Sequence, residues 1–300
     1  MHEDRTALKD AISAVAAQMG IMEAAVEKDY YITLVLRLLS KKIPYIVFKG
    51  GTSLSKCYNA IRRFSEDIDI TIDRSISQSE RKNVKEAIKE TASELGMTII
   101  NLDDTRSKRD YNQYRIAYDS VLTIQSEAVK PVVVLETSYV EISFPTVEMA
   151  VTNYIGEMMQ PYASDIVIEF ALDPFTMKVQ SIERTLIDKV FALCDYYLSG
   201  KVEKHSRHIY DVYKLLNIVN QDENFMDLVA QVRKAREGAP ICLSAKNEVN
   251  VNEILHAIVD GAAYKHDYET LTALLLDEKI PYDVAIQAVK TIADNWKFEE

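Results

Sequence analysis

Asp67 and Asp69 stand two residues apart in the run Asp67, Ile68, Asp69, Ile70, Thr71, Ile72. Polar and apolar residues alternating in this way are the pattern of a half-buried strand, so both carboxylates project to one side. Two such carboxylates repel each other unless a divalent cation lies between them, and hard oxygen ligands of this kind suit Mg2+ or Mn2+. Upstream, Tyr45 to Phe48 reads as a buried strand, and Gly50 and Gly51 follow at once, where the chain turns tightly and exposes backbone N–H groups. Thr52 and Ser53 precede a helical stretch expected from Leu54 to Ala60; they are candidate N-caps, and a helix N-terminus is a ready anion site. A phosphate cradle facing a metal-binding carboxylate pair is the apparatus for moving a phosphoryl or nucleotidyl group. Singly, a glycine pair is commonly just a turn and an Asp-x-Asp commonly a solvated strand; their combination carries the reading.

The rest of the chain has to position these groups. Three hundred residues with 48% hydrophobic content supply one large domain or two modest ones, and 8 Gly, 7 Pro and no low-complexity tract argue against disorder. Cys57, Cys194 and Cys242 lack metal-ligand spacing and fit free thiols in a reducing cytosol. The first residues include Asp and Glu, and no run nears the roughly eighteen apolar residues that span a bilayer, so a cytoplasmic protein without membrane association is expected. A net charge of −11 argues against broad nonspecific nucleic-acid affinity but leaves room for a local basic groove. Basic residues gather at Arg62 and Arg63, at Arg106, Lys108, Arg109 and Arg115, and at Lys201, Lys204, His205, Arg207 and His208. Each cluster is either an RNA contact or a solvated face.

Helical periodicity marks Ala7 to Met19 and Ala24 to Leu39, and Ser77 opens a helix to about Leu95 with Gly96 as its stop. Met97 to Leu102 and Tyr111 to Tyr118 read as strands around a polar loop, and Val132 to Tyr139 is a β-branched run expected to be central. Glu136 in that run needs a partner. Pro145 to Met158 reads as helix, Asp165 to Leu172 as a further strand, and Pro174 as a break. The expected class is therefore α+β: a mixed-sheet domain with flanking helices, residues 1–175, followed by a helical bundle, residues 176–300, that closes a cleft between them. Bundle helices are expected from Ser181 to Leu198, His205 to Asn220, Phe225 to Glu237, Asn252 to Tyr264, Tyr268 to Leu276 and Tyr282 to Trp296.

Strand, glycine pair, hydroxyl, helix, then a carboxylate pair on the next strand resembles the DNA polymerase beta type nucleotidyltransferase superfamily. Within it, KGGTSLSK followed by RFSEDIDI closely resembles the AbiEii/AbiGii nucleotidyltransferase toxins, and the likeness runs from Lys49 to Lys214. The resemblance implies a third carboxylate facing the pair; Glu136 stands in its place, with Glu141 as runner-up, and its other reading is a salt bridge at a strand end. SIERT followed by a lysine is similar to a second family motif whose lysine meets the triphosphate, which Lys189 matches. Residue types alone would make Arg184 and Asp188, four apart, a surface ion pair; by resemblance Arg184 orients the lysine or binds phosphate. The aspartate after an arginine–histidine pair matches Asp211, behind Arg207 and His208, where residue types alone would leave a self-satisfied patch.

The implied reaction is nucleotidyl transfer from a nucleoside triphosphate, with Mg2+ or Mn2+ held by Asp67, Asp69 and Glu136, and Gly50, Gly51, Thr52, Ser53 and Lys189 taking phosphate charge. Lys49, Lys56, Arg63 and Ser65 are second choices near the phosphates, and Ser65 lies close enough to Asp67 that modifying it would block the site. By resemblance the acceptor is the tRNA 3′ end, the setting a toxin–antitoxin or phage-defence pair, and the partner an antitoxin. A small-molecule, antibiotic-modifying nucleotidyltransferase and a catalytically idle binding protein are the rivals.

Overall fold

The computed structural model describes residues 1–63, 65, 67–123 and 129–298, with Glu141 described by its backbone alone. The chain divides into two compact units, one of residues 1–57 and 66–179 and one of residues 58–65 and 180–300. No described helix is long and apolar enough to cross a membrane.

The first unit is built on a sheet of seven strands in the order β3-β4-β5-β2-β1-β7-β6. These are β1 (Ile46–Lys49), β2 (Asp67–Ile72), β3 (Thr98–Ile99), β4 (Tyr111–Ala117), β5 (Val132–Ile142), β6 (Thr146–Val151) and β7 (Phe175–Gln180). The sheet is mixed: β1 runs antiparallel to β2 and parallel to β7, β2 parallel to β5, and β4 antiparallel to β3 and β5. The alternation in β2 is realised: Ile68, Ile70 and Ile72 are buried, while Asp67 and Asp69 are half-buried on the other face. Leu135, Val133, Tyr114 and Ile116 join the isoleucines on the buried face. Helix α1 (Arg5–Met19) packs on α2 (Glu23–Lys42), and α2 contacts β5 and α4 (Gln78–Glu94). Ser77 and Glu80 form a reciprocal capping box at the start of α4, as the serine and the spacing predict.

Four expectations fail locally. Helix α3 spans Gly50–Lys56 rather than Leu54 to Ala60, because Gly50, at φ +80°, completes the turn in a single residue. Pro145 to Met158 is not one helix: Thr146–Val151 is strand β6, and α5 (Tyr154–Met159) starts only where the Asn153 side chain accepts from Gly156 N at 2.8 Å. Ile166 to Ile168 lie in helix α6 (Ser164–Glu169), where Val167 alone is buried and Ile168 is 70% exposed; local hydrogen bonding overrides β-propensity where no strand is paired. Pro174 does break the chain, between α6 and β7, but the residues after it, expected to lead into the helical bundle, first form β7, which pairs Val179 with Phe48.

The second unit is helical: α7 (Ile182–Leu198), α8 (Arg207–Leu216), α9 (Phe225–Arg236), α10 (Val251–Asp260) and a last helix, Tyr282–Asn295. Ser181 caps α7 by accepting from Arg184 N at 3.2 Å. Between α3 and β2 the chain contributes residues 58–65 to this unit: Arg63 bridges Leu276, and Arg62 N donates to the Tyr210 hydroxyl at 3.0 Å. A π-helical turn, Tyr268–Thr272, replaces part of the helix expected there.

Ser77→Ala removes one side-chain cap of α4 and is expected to lower unfolding stability by about 1 kcal/mol, read as a shifted urea midpoint with unchanged slope.

Candidate active site

Register aligns polar residues on the open face of the sheet. Lys49 lies opposite Asp69, Asp69 beside Glu136, and Glu136 opposite Gln113, so four adjacent strands put Lys49, Asp69, Glu136 and Gln113 in one row. The neighbouring row is Asp67, Val134 and Arg115. The face is set by strand period: residues paired across a ladder project together, and the isoleucines of β2 commit its other face to the core.

Gly50 closes this site against Asp69. A Cβ at Gly50 would lie 1.9 Å from Asp69 Oδ2, and φ at Gly50 is +80°, so shape and backbone both require glycine. Thr52 Oγ1 donates to Asp67 O at 2.6 Å, tying α3 to the head of β2. Neither hydroxyl caps the helix. Ser53 Oγ donates to Gly50 O at 2.9 Å, and the N-cap, Lys49, makes no side-chain cap bond.

Glu136 is held from β4. Gln113 Nε2 donates to Glu136 Oε1 at 2.9 Å, and the Tyr111 hydroxyl bonds the same carboxylate. Burial raises the Tyr111 pKa, and the charges of Glu136 and Asp69 push the same way, so this phenol stays protonated as a donor. Residue pattern did not single out Tyr111 and Gln113 for this role; only the β4–β5 register puts them there. Asp67, Asp69 and Glu136 are hard oxygen donors of the kind a divalent cation takes. Among the described residues no three His, Cys, Asp or Glu side chains are gathered as a ready-made cation site, and Glu136 is turned toward β4. The Glu141 side chain lies outside the described residues.

The second unit has a buried charge cluster of its own. Asp211, 0% exposed, accepts from Arg63 Nε at 2.7 Å and Nη2 at 2.9 Å, and pairs with Lys189 Nζ at 2.9 Å. Burial pushes the Asp211 carboxyl up, but Arg63 and Lys189 outweigh it and hold the group well below the usual carboxylate range. Burial moves Lys189 the other way: Asp211 raises it, Arg63 lowers it, and its pKa falls below the ordinary lysine value. Two cations on one carboxylate leave positive charge in excess. His208 lies among them, its Nδ1 without a hydrogen-bond partner among the described residues; burial first, then Lys189, drive its pKa well below 6.5 and keep it neutral. Its ring runs parallel to Tyr196, which stacks on His205 at 3.5 Å.

Other candidate positions are held by partners of their own or flank these two groups. Lys56 is buried in an ion pair with Asp29 and donates to Thr152 O at 2.9 Å. Arg184 is 1% exposed, with Nε 3.0 Å from Asp188, so the pair suggested by its spacing is buried rather than superficial. Arg207 begins α8 half-buried, and its charge depresses both Lys189 and His208. Ser65 is half-buried in the 58–65 segment.

Against known proteins, the family model described as "Nucleotidyl transferase AbiEii toxin, Type IV TA system" matches residues 34–295. The chain belongs to this family. As an AbiEii-family protein it is a nucleotidyltransferase toxin of a type IV toxin–antitoxin system, and membership implies an antitoxin partner. Its fold is similar to that of MenT4, a nucleotidyltransferase toxin from Mycobacterium tuberculosis H37Rv, with a TM-score of 0.57 and 18% identity over 93% of this chain and 87% of that one. No curated protein matches it.

In this AbiEii-family chain, Gly50→Ala is expected to displace the Asp69 carboxylate and cut nucleotidyl transfer by at least about a hundredfold, while circular dichroism still reports a folded protein. The histidines set a stability slope. His208 is depressed when folded, so below about pH 6.5 the unfolded chain takes up a proton that the folded one refuses, and stability falls as pH falls. The Asp211 contribution is intact above its unfolded value near 3.8 and is lost only below it. Between about pH 6.5 and 4, His208→Gln should flatten the fall by up to roughly 1.4 kcal/mol per pH unit, measured by urea unfolding across that range.

Proposed function

We propose that the chain transfers a nucleotidyl group from a nucleoside triphosphate to an RNA acceptor, the 3′ end of tRNA, in the cytoplasm, and that the resulting block in aminoacylation arrests growth as part of phage defence. The observation that carries the chemistry is the row Lys49, Asp69, Glu136, Gln113 closed by Gly50, a carboxylate site flanked on one side by a backbone approach that only glycine allows. Asp67, Asp69 and Glu136 would hold a divalent cation, Mg2+ or Mn2+, which supplies charge neutralisation for the triphosphate and acidifies an acceptor hydroxyl. Backbone N–H groups at Gly50 and Gly51, with Lys49, bind the β- and γ-phosphates. The Glu136 carboxylate, oriented by Gln113 and Tyr111, receives the proton of the acceptor hydroxyl. The new bond joins that oxygen to the α-phosphorus, the bond to the β-phosphate oxygen breaks, and pyrophosphate leaves with the electron pair.

In the helical unit we assign to Lys189 the reception of triphosphate charge, with Asp211 fixing its ammonium and Arg63 fixing Asp211. Excess positive charge in that cluster, with Arg207 adjacent, supports this reading. Arg184, buried against Asp188, then acts on the scaffold of α7 rather than on phosphate.

Purified protein incubated with Mg2+, bulk tRNA and each labelled nucleoside triphosphate in turn is expected to label tRNA, and Asp67→Ala and Lys189→Ala are expected to reduce labelling by at least about a hundredfold. Bound triphosphate with no label on tRNA would overturn the RNA reading, and label on a small hydroxylated acceptor would replace it.

A further inference from the structure

The three outward residues of β4 are not used by the carboxylate chemistry alone. Tyr111, Gln113 and Arg115 alternate with buried Asn112, Tyr114 and Ile116, so all three project from the face that carries Asp67, Asp69 and Glu136. Tyr111 is 48% exposed, so its ring is accessible on the face that carries Glu136. Arg115 is exposed, and its guanidinium has no hydrogen-bond or ion-pair partner among the described residues. An accessible aromatic ring and an unpaired arginine on one side of a strand, about 13 Å apart at roughly 3.3 Å per residue, are the two components with which proteins hold single-stranded nucleic acid.

Position along the row says which substrate this is. In-line displacement puts the attacking oxygen and the leaving pyrophosphate on opposite sides of the α-phosphorus. With phosphates received at the β1–α3 turn, the acceptor must approach from the far side of the carboxylates. That side is β4: Gln113 and Arg115 are the neighbours of Glu136 and Val134 away from β2 and β1. The loop that leads into Tyr111 carries Lys108 and Arg109 beside Asp103, Asp104 and Asp110, of which Asp110 is taken by Arg81, and Arg115 at the other end of the strand supplies the cation on the outward face. Arg106 and Arg109 partly satisfy themselves on the carbonyls of Asp103, Thr105 and Asp104, which shapes the loop and leaves Lys108 exposed at its tip.

We propose that the outward face of β4 is the acceptor-docking surface: Tyr111 stacks on a base of the single-stranded RNA end, and Arg115 binds a backbone phosphate next to it. Gln113, bonded to Glu136, is a positioning residue between them. This proposal rests on the RNA reading above and assigns that substrate its place.

The test measures binding apart from chemistry. Anisotropy of a short 5′-labelled single-stranded RNA at fixed salt, with nucleoside triphosphate affinity measured on the same preparations, is compared for wild type, Tyr111→Ala, Tyr111→Phe and Arg115→Ala; unchanged thermal midpoints certify the fold. Each alanine variant is expected to raise the RNA Kd roughly tenfold, and Arg115→Ala, which removes no contact to the carboxylates, is expected to leave the triphosphate Kd unchanged. Tyr111→Phe is expected to keep RNA affinity and lose transfer rate, because the ring remains and the bond to Glu136 does not. Unchanged RNA affinity in both alanine variants, or an Arg115→Ala variant that weakens triphosphate affinity in its place, would overturn the proposal. Wild type that labels RNA beside indifferent variants would sink the docking surface alone, whereas wild type that binds RNA through Tyr111 and Arg115 but never labels it would sink the enzymatic reading alone.

Discussion

The contact between Gly50 and the Asp69 carboxylate is the constraint from which the first unit follows. Antiparallel pairing of β1 with β2 brings Lys49 level with Asp69, and the next residue must then turn the chain into α3 without filling the space that the carboxylate occupies. A side chain at that point would coincide with Asp69 Oδ2, and a left-handed φ excludes it again on backbone grounds. Because the turn is complete in one residue, the first N–H groups of α3 start at the carboxylate row instead of one turn away. Thr52 reinforces the arrangement by donating to the Asp67 carbonyl. Shape, hydrogen bonding and strand register thus converge on one pair of residues.

The second unit rests on a different balance. Asp211 is fully buried, and a buried carboxylate is tolerable only when its charge is met; Arg63 meets it through two donors and Lys189 through a third. Arg63 comes from the segment between α3 and β2, far in sequence from α7 and α8, so a chain excursion out of the sheet unit completes the cluster. With Arg63 permanently charged, Lys189 is the member whose charge is least secure, because burial and the Arg63 charge lower its pKa. His208 remains neutral beside them, which keeps a further positive charge out of a crowded site.

Local chemistry also reconciles an acidic chain with an anionic substrate. A net charge of −11 governs long-range encounter, but the binding of a nucleoside triphosphate is decided by groups a few ångströms away. Lys49 stands at one end of the carboxylate row and Arg115 ends the neighbouring row of Asp67 and Val134 on β4, while the acidic residues between these two strands are those a divalent cation would neutralise.

Much of the first site was legible in residue order. The alternation at Asp67 to Ile72 set the strand and its two faces, the glycine pair marked the turn, and the Ser77/Glu80 spacing marked a capped helix, because each depends on neighbours within a few residues. What the amino-acid sequence could not determine depends on pairing partners. Thr146 to Val151 and Ile166 to Ile168 are both rich in β-branched residues, yet one segment is a strand and the other a helix, since only the first is paired into a sheet. Lys56 and Lys49 look alike in sequence, but Asp29 takes the first while the second faces Asp69. Gln113 and Tyr111 became ligands of Glu136 only through the register of β4 on β5, and Arg63 a partner of Asp211 only through a fold that brings residues 148 positions apart within 2.7 Å. Period, caps and turns are short-range and are written in residue order; register and buried charge pairing are long-range, and the tertiary structure alone decides them.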